Sequence, residues 1–255
     1  MIGSDFEIPV YCNKELVLAH TLTSGTKDNP QKLAHGMVQW DNAMLEFNIK
    51  PAKDKGQFIG GIRNVMREYQ ANWLGHNTFE YVYSDTVDIQ EDMLSYDQVR
   101  VLGCSPSWNA WTGKKSVIRK AATSMLKRWA GFHWHIDTDK PVGDFVKLLD
   151  IFVGLPMIPH EGRSTRRQVY GRAGEFRPKD YGVEWRVPSS SLLSNNTVLG
   201  KMYDSVLAVE SQFEMMAQVL MDEQICTQTQ KAINDQDVAL AKSTYQLAVK
   251  KVIEC

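Results

Sequence analysis

Residues 163–186 read R-S-T-R-R-Q-V-Y-G-R-A-G-E-F-R-P-K-D-Y-G-V-E-W-R, from Arg163 to Arg186. They hold six arginines and one lysine, where 29 basic side chains in 255 residues would place roughly three. Gly171, Gly174, Pro178 and Gly182 break the run into turns, so the arginines are expected on loops and short strands. Loops held by a rigid scaffold are where ligand chemistry concentrates. Residues 181–188 alternate β-branched or aromatic side chains with charged ones, which on a strand puts Gly182, Glu184 and Arg186 on one face. A guanidinium fork beside a carboxylate suits a polyphosphate with Mg²⁺. A cross-strand salt bridge is the alternative.

Three other stretches offer polar side chains in the same manner. Residues 6–18 read as two short strands around a turn at Asn13-Lys14, with Asp5 and Glu7 on one face of the first. Two acids so placed repel unless a cation or base lies between them, or unless the strand is a sheet edge facing water. On a strand over residues 43–49, Met44, Glu46 and Asn48 point one way and Leu45, Phe47 and Ile49 the other. His133 and His135 follow Gly131 on a third strand and share a face, able to reach one metal or phosphate or to serve structurally.

Between and after these strands the apolar spacing turns helical. Phe58, Ile62, Val65 or Met66, Tyr69 and Trp73 mark a helix over residues 57–73 with a core-facing stripe. Phe145, Leu148, Leu149 and Phe152 mark a short one stopped by Gly154 and Pro156. Two more, along Leu199 to Leu220 and Val238 to Val252, are expected to form an αα-hairpin against the domain or against another copy. Residues 102–112 are turn-rich and aromatic, with Cys104 an inert buried thiol, and residues 116–129 are a helix or a basic connection.

Composition narrows the class. A 29.0 kDa chain with 43% apolar and 10% aromatic residues can bury one sizeable core. A net charge of −1 supplies no overall field for nucleic acid, so only the local arginine cluster could bind it. Cysteines at 12, 104, 226 and 255 form no C-x-x-C pair, which argues against a zinc knuckle or a disulfide framework and for a reducing cytoplasm. The start carries no basic-then-apolar leader, and no apolar run approaches a membrane span.

Five segments, in order, resemble the carboxylate-amine ligases of the glutamine synthetase-like superfamily, and most closely the phage-encoded type-2 COOH.NH2 ligases. They are G-S-D-F-E-I, V-Q-W-D-N-A-M-L-E-F-N-I-K-P-A, L-G-C-S-P-S-W-N-A-W-T, A-G-F-H-W-H-I and the arginine-rich stretch, spanning about residues 3–190. Gly131 to His135 resembles the G-x-H-x-H strand of glutamine synthetases, and Glu184-Trp185-Arg186 their E-x-R strand. The chain departs from the pattern at Ser105 and Ser107, where acids are expected, and at Phe132, where a second glycine is. The resemblance implies an α+β fold: a curved, mainly antiparallel sheet of the glutamine synthetase catalytic-domain type, helices on one face, and the C-terminal αα-hairpin. The ligase domain would cover residues 1–197 and the hairpin residues 198–255.

The resemblance also implies ATP and Mg²⁺, with Mn²⁺ as the alternative ion. Asp5, Glu7, Glu46, His133 and Glu184 would surround the metals. Arg177, Arg186 and Glu184 would be catalytic, while Arg166, Arg167, Lys179 and His135 would hold the nucleotide. ATP would phosphorylate a carboxylate and an amine would attack the acyl phosphate, one substrate being a peptide, protein or nucleotide in the host cytoplasm. A small-molecule γ-glutamyl-type ligase and a non-catalytic binding module on the same fold are the competing functions.

Overall fold

Alternation along the first strand sets the plan of the molecule. In β1 (Ile2–Ile8), Gly3, Asp5 and Glu7 face one way, and Ile2, Ser4, Phe6 and Ile8 the other. The computed structural model describes residues 1–75, 78–100, 107–116 and 126–254. Further strands are β2 (Val10–Cys12), β3 (Glu15–Val17), β4 (Gln31–Lys32), β5 (Gly36–Asp41), β6 (Met44–Ala52), β7 (Phe79–Tyr81) and β8 (Thr86–Asp88). After these come β9 (Ser107–Asn109), β10 (Lys114–Ser116), β11 (Lys127–Trp129), β12 (Phe132–Asp137), β13 (Glu175–Lys179) and β14 (Gly182–Trp185).

Nine of them form one antiparallel sheet in the order β10-β9-β13-β14-β12-β1-β6-β5-β4. β2, β3 and β7 make a smaller sheet, and β8 pairs with β11. Residues 6–18 therefore do not form one hairpin with Asp5 and Glu7 on its first strand. Pro9, which has no N–H to give a ladder, stands between β1 and β2, and the chain passes there from the large sheet to the small one. Asn13 and Lys14, both at positive φ, do make the expected turn, between β2 and β3.

The helices are α1 (Ala19–Leu22), α2 (Lys55–Tyr69), α3 (Asp97–Arg100), α4 (Val142–Leu149), α5 (Leu155–Met157), α6 (Arg166–Val169), α7 (Asn196–Ser211), α8 (Phe213–Met216), α9 (Glu223–Asp235) and α10 (Val238–Ile253). The Asp54 side chain caps α2 by accepting from Gln57 N, and Phe58, Ile62, Val65, Met66 and Tyr69 are buried along one stripe. That stripe meets the apolar sheet face: Phe58 lies 4.5 Å from Trp134, and Phe6 stacks on Phe47 at 5.6 Å. Trp73, expected in the same stripe, is 47% exposed. After Tyr69 the helix widens into a π turn, Gln70–Leu74, which buries Leu74 in its place and stacks Trp73 on Tyr69.

The helix expected to stop at Gly154 instead runs from α4 through a π turn, Asp150–Gly154, into α5, where Pro156 sits in the first turn and breaks nothing. Within that turn, fully buried Asp150 accepts from Trp111 Nε1, Trp185 Nε1 and Gly174 N, tying the β9–β10 hairpin to the core. The C-terminal part also differs. Its hairpin is α9 and α10, joined by Gln236 in the left-handed region and capped by Asp222 and Asp237, while α7 packs on α2 and α4. Reading missed α9 because half of its buried stripe is Thr229 and Ala232, too small or polar to mark a period. Val198, Ile225 and Ala241 share one apolar core with Phe6 and Trp134. Cys104, Ser105 and most of residues 116–129 lie outside the described residues. No helix among the described residues is long and apolar enough to cross a membrane.

Candidate active site

Register decides which polar side chains meet. β1 aligns Asp5 with His133 of β12 and Glu7 with Glu46 of β6. β12 aligns His135 with Glu184 of β14, and β13 aligns Arg177 with that same Glu184. Because the side chains of each strand alternate, all of these project from the face opposite the aromatic core. They line a cleft of about 300 Å³, together with Asp41, Asn48, Lys179 and Arg186. Asp5, Glu7, Glu46, His133, His135, Arg177, Lys179, Glu184 and Arg186 thus come together from five strands and one strand end. Arg166 and Arg167 do not.

Those two arginines are buried supports. Arg166 donates to the carbonyls of Val187 at 2.9 Å and Pro188 at 2.8 Å, and its guanidinium lies 4.7 Å over the Tyr170 ring. Arg167 donates to Val187 O at 2.7 Å and pairs with Glu161. Expected on phosphates, they instead fix the segment that follows β14, because their turn, α6, tucks beneath it. The arginine excess therefore has two causes, and spacing alone does not separate them.

Acids in the cleft form two sets. Ligand atoms of Asp5, His133 and Glu184 lie within 4.8 Å of one another, as do those of Glu7, Asp41 and Glu46. In the first set Asp5 Oδ1 meets His133 Nδ1 at 2.5 Å, and Oδ2 meets His135 Nε2 at 2.8 Å. Burial pushes the Asp5 carboxyl up, but His133 and His135 outweigh it and hold it well below the ordinary range. Burial and Arg186 push His133 down to about 4, so the ring is neutral at pH 7. Its Nδ1–H then donates to Asp5, and Nε2 accepts from the Tyr170 hydroxyl, a tautomer assigned from these partners.

Glu184 is buried between cations. Its Oε1 accepts from Arg177 at 3.0 Å and from Arg186, and its Oε2 pairs with Lys179 at 2.8 Å. Burial pushes its carboxyl up, but the neighbouring His133, Arg186 and Arg177 outweigh it and take it to about 2. Tyr170 joins the parts, since its hydroxyl meets both His133 Nε2 and Arg186 Nη2 and the Arg186 guanidinium lies 5.1 Å over its ring.

The second set is only partly compensated. Glu7 Oε2 accepts from Gly131 N at 2.6 Å and Glu46 Oε2 from Gln39 Nε2 at 3.0 Å, while Lys27, which also lines the cleft, acts on Asp41 and Glu46, and Arg186 on Glu7 and Asp41, without offsetting burial. Burial, then Asp41 and Glu46, push Glu7 well above the ordinary range. Burial, then Asp5 and Asp41, push Glu46 up to about 8. Asp41 is raised as well, by burial first. Three oxygen donors whose ionisation burial and neighbouring carboxylates oppose fit a hard divalent cation such as Mg²⁺. The Asp5–His133–Glu184 set offers mixed nitrogen and oxygen donors whose charge neighbouring side chains already balance, so it fits a cation less directly.

Asp41, Tyr170 and Lys27, a loop residue without a motif, are among the residues that sequence reading missed. Asp41 follows Gln39 by two positions and precedes Asn42, whose positive φ of 54° turns β5 back into β6. That D-N turn between two alternating runs was the signal for a strand ending on Asp41. Tyr170 carried none, being one aromatic residue in a loop.

An antiparallel α+β protein whose sheet gathers acids, imidazoles and guanidiniums in one cleft is the class that fold and site define. A family model described as phage phiEco32-like COOH.NH2 ligase-type 2 matches residues 109–248. That is more than half of the 255 residues, and the chain belongs to this family of ligases. The match takes in α7, α9 and most of α10, the part for which the earlier resemblance, ending near residue 190, offered nothing. No curated protein matches the chain.

Proposed function

We propose that the protein is an ATP-dependent carboxylate-amine ligase of the glutamine synthetase-like kind, working through an acyl phosphate. The observation that carries this reading is the pair of metal-ligand sets, Asp5–His133–Glu184 and Glu7–Asp41–Glu46, lying side by side on one sheet face against Arg177, Lys179 and Arg186. A carboxylate is a poor electrophile at neutral pH. Transfer of a γ-phosphoryl to its oxygen expels ADP, attack by an amine nitrogen on the carbonyl carbon then expels phosphate, and an amide remains. Charge builds between nucleotide and acceptor during the first step, so fixed guanidiniums there lower the barrier.

Glu7, Asp41 and Glu46 would hold one Mg²⁺, and Asp5, His133 and Glu184 a second or Mn²⁺. When bound, such ions neutralise phosphate oxygens and act as Lewis acids. Arg177 and Arg186, both anchored on Glu184 Oε1, would receive the transferring phosphoryl group, with Lys179 beside them. An apolar pocket of about 330 Å³ shares Met37, Asn48 and His135 with the cleft and would take the nucleoside.

The test supplies purified protein with ATP, Mg²⁺ and either free amino acids or a lysate of the natural host. Mass spectrometry should find ADP and a new amide. Turnover with free amino acids alone would identify a small-molecule ligase, and no ADP with any acceptor would leave a non-catalytic protein.

A further inference from the structure

A cavity of about 500 Å³ lies beside α2, and none of the cleft residues lines it. It lies across the sheet from the cleft, because α2 packs on Trp134 and the cleft is built on His133 and His135, which point the other way along the same strand. Arg63 and Arg67 stand one turn apart on α2 and both border the cavity. Like charges at this spacing repel. Arg63 is held by neutral acceptors: Nε and Nη2 donate to Asn196 Oδ1 at 2.9 and 2.6 Å, and Nη2 also donates to Leu193 O. Its guanidinium lies 5.9 Å from the Tyr83 ring centroid. These groups orient the fork without cancelling its charge. Among the described residues, no carboxylate lines the cavity or pairs with either guanidinium.

We propose that this cavity binds a phosphate monoester carried on a planar organic body, with the phosphate on Arg63 and Arg67 and the body against Tyr81 and Tyr83. The Arg67 fork and the Nη1 edge of Arg63, whose other nitrogens are held by Asn196 and Leu193, bring two positive charges to a dianionic phosphate, more than a single carboxylate would balance. The tyrosines and Met66 give an apolar wall too extensive for a bare phosphate ion. The site is independent of the ligase reading, since it shares no residue with the cleft.

Titration calorimetry of the full chain in EDTA tests it with three probes: phenyl phosphate, inorganic phosphate and benzoate. Phenyl phosphate should bind saturably, and the other two at least about tenfold more weakly. Arg67→Gln removes no bond seen in the structure, so it should fold with an unchanged Tm and bind phenyl phosphate about tenfold more weakly. Lys179→Gln, a cleft variant, should bind it as the wild type does. Absence of saturable binding, binding indifferent to Arg67→Gln, or binding lost in Lys179→Gln would each overturn the proposal.

Discussion

Glu184 shows how one buried side chain joins stability to chemistry. It is 1% exposed and balances Arg177, Lys179 and Arg186 together. Glu184→Gln removes the negative charge that balances those three, and breaking a buried pair in this way costs about 3–5 kcal/mol. Arg177 and Lys179 are partly exposed, so the lower end applies. The variant should therefore melt several degrees lower by calorimetry and also lose Mg²⁺-dependent ADP formation. An unchanged Tm would show that solvent, not Glu184, neutralises the cluster. Glu46 makes the pH prediction. Its carboxyl titrates near 8 in the folded protein against 4.5 as an ordinary side chain, so folding holds a proton that the unfolded chain releases. Metal-free stability then falls as pH rises from 4.5 through 8. A cation in the Glu7–Asp41–Glu46 set must displace that proton, so the rise in Tm on adding MgCl₂ should be larger at pH 9 than at pH 6. Equal rises at both pH values would place the ion elsewhere.

At the scale of elements, the approach of β1 to β12 depends on Gly131. Its N–H donates to Glu7 Oε2, its carbonyl accepts from Glu7 N, and a Cβ there would lie 2.5 Å from His133 Nε2 and 2.7 Å from the Tyr170 hydroxyl. Both neighbours are held by other partners, so Gly131→Ala should push the ring and the phenol apart. Overpacking of this kind costs about 1–3 kcal/mol. Metal affinity should fall about tenfold, as it does when a supporting partner of a ligand is lost. Titration of Mn²⁺ into the variant checks this, and wild-type affinity would show that the Tyr170–His133 contact is dispensable. The strands themselves were legible where alternation was strict: Glu46 and Asn48 against Leu45 and Phe47, His133 and His135 against Phe132 and Trp134. Arg166 and Arg167 misled because an arginine on a backbone carbonyl and one on a phosphate look alike in a sequence.

Over the whole molecule, the family match and the site divide the chain differently. Residues 109–248 contain His133, Tyr170, Arg177, Glu184 and Arg186, while Asp5, Glu7, Asp41 and Glu46 precede them. β1 lies between β6 and β12, so a fragment beginning at residue 109 would expose the β12 edge and the apolar faces that α2 and β6 cover. Expressed alone, residues 109–255 should show no cooperative thermal transition by circular dichroism and no dispersed amide spectrum. A folded fragment would mean that the first half is a separate unit.

Sequence by itself determined which side chains could share a strand face, because the period of two is a local property of an extended backbone, and it supplied the acids, imidazoles and guanidiniums in an order that resembles a ligase. Only the tertiary structure decided that Asp41 completes a second acidic set, that Tyr170 bridges His133 to Arg186, and that Arg166 and Arg167 are structural. Each of these depends on strand register and on contacts between residues far apart in the chain, which no local pattern encodes.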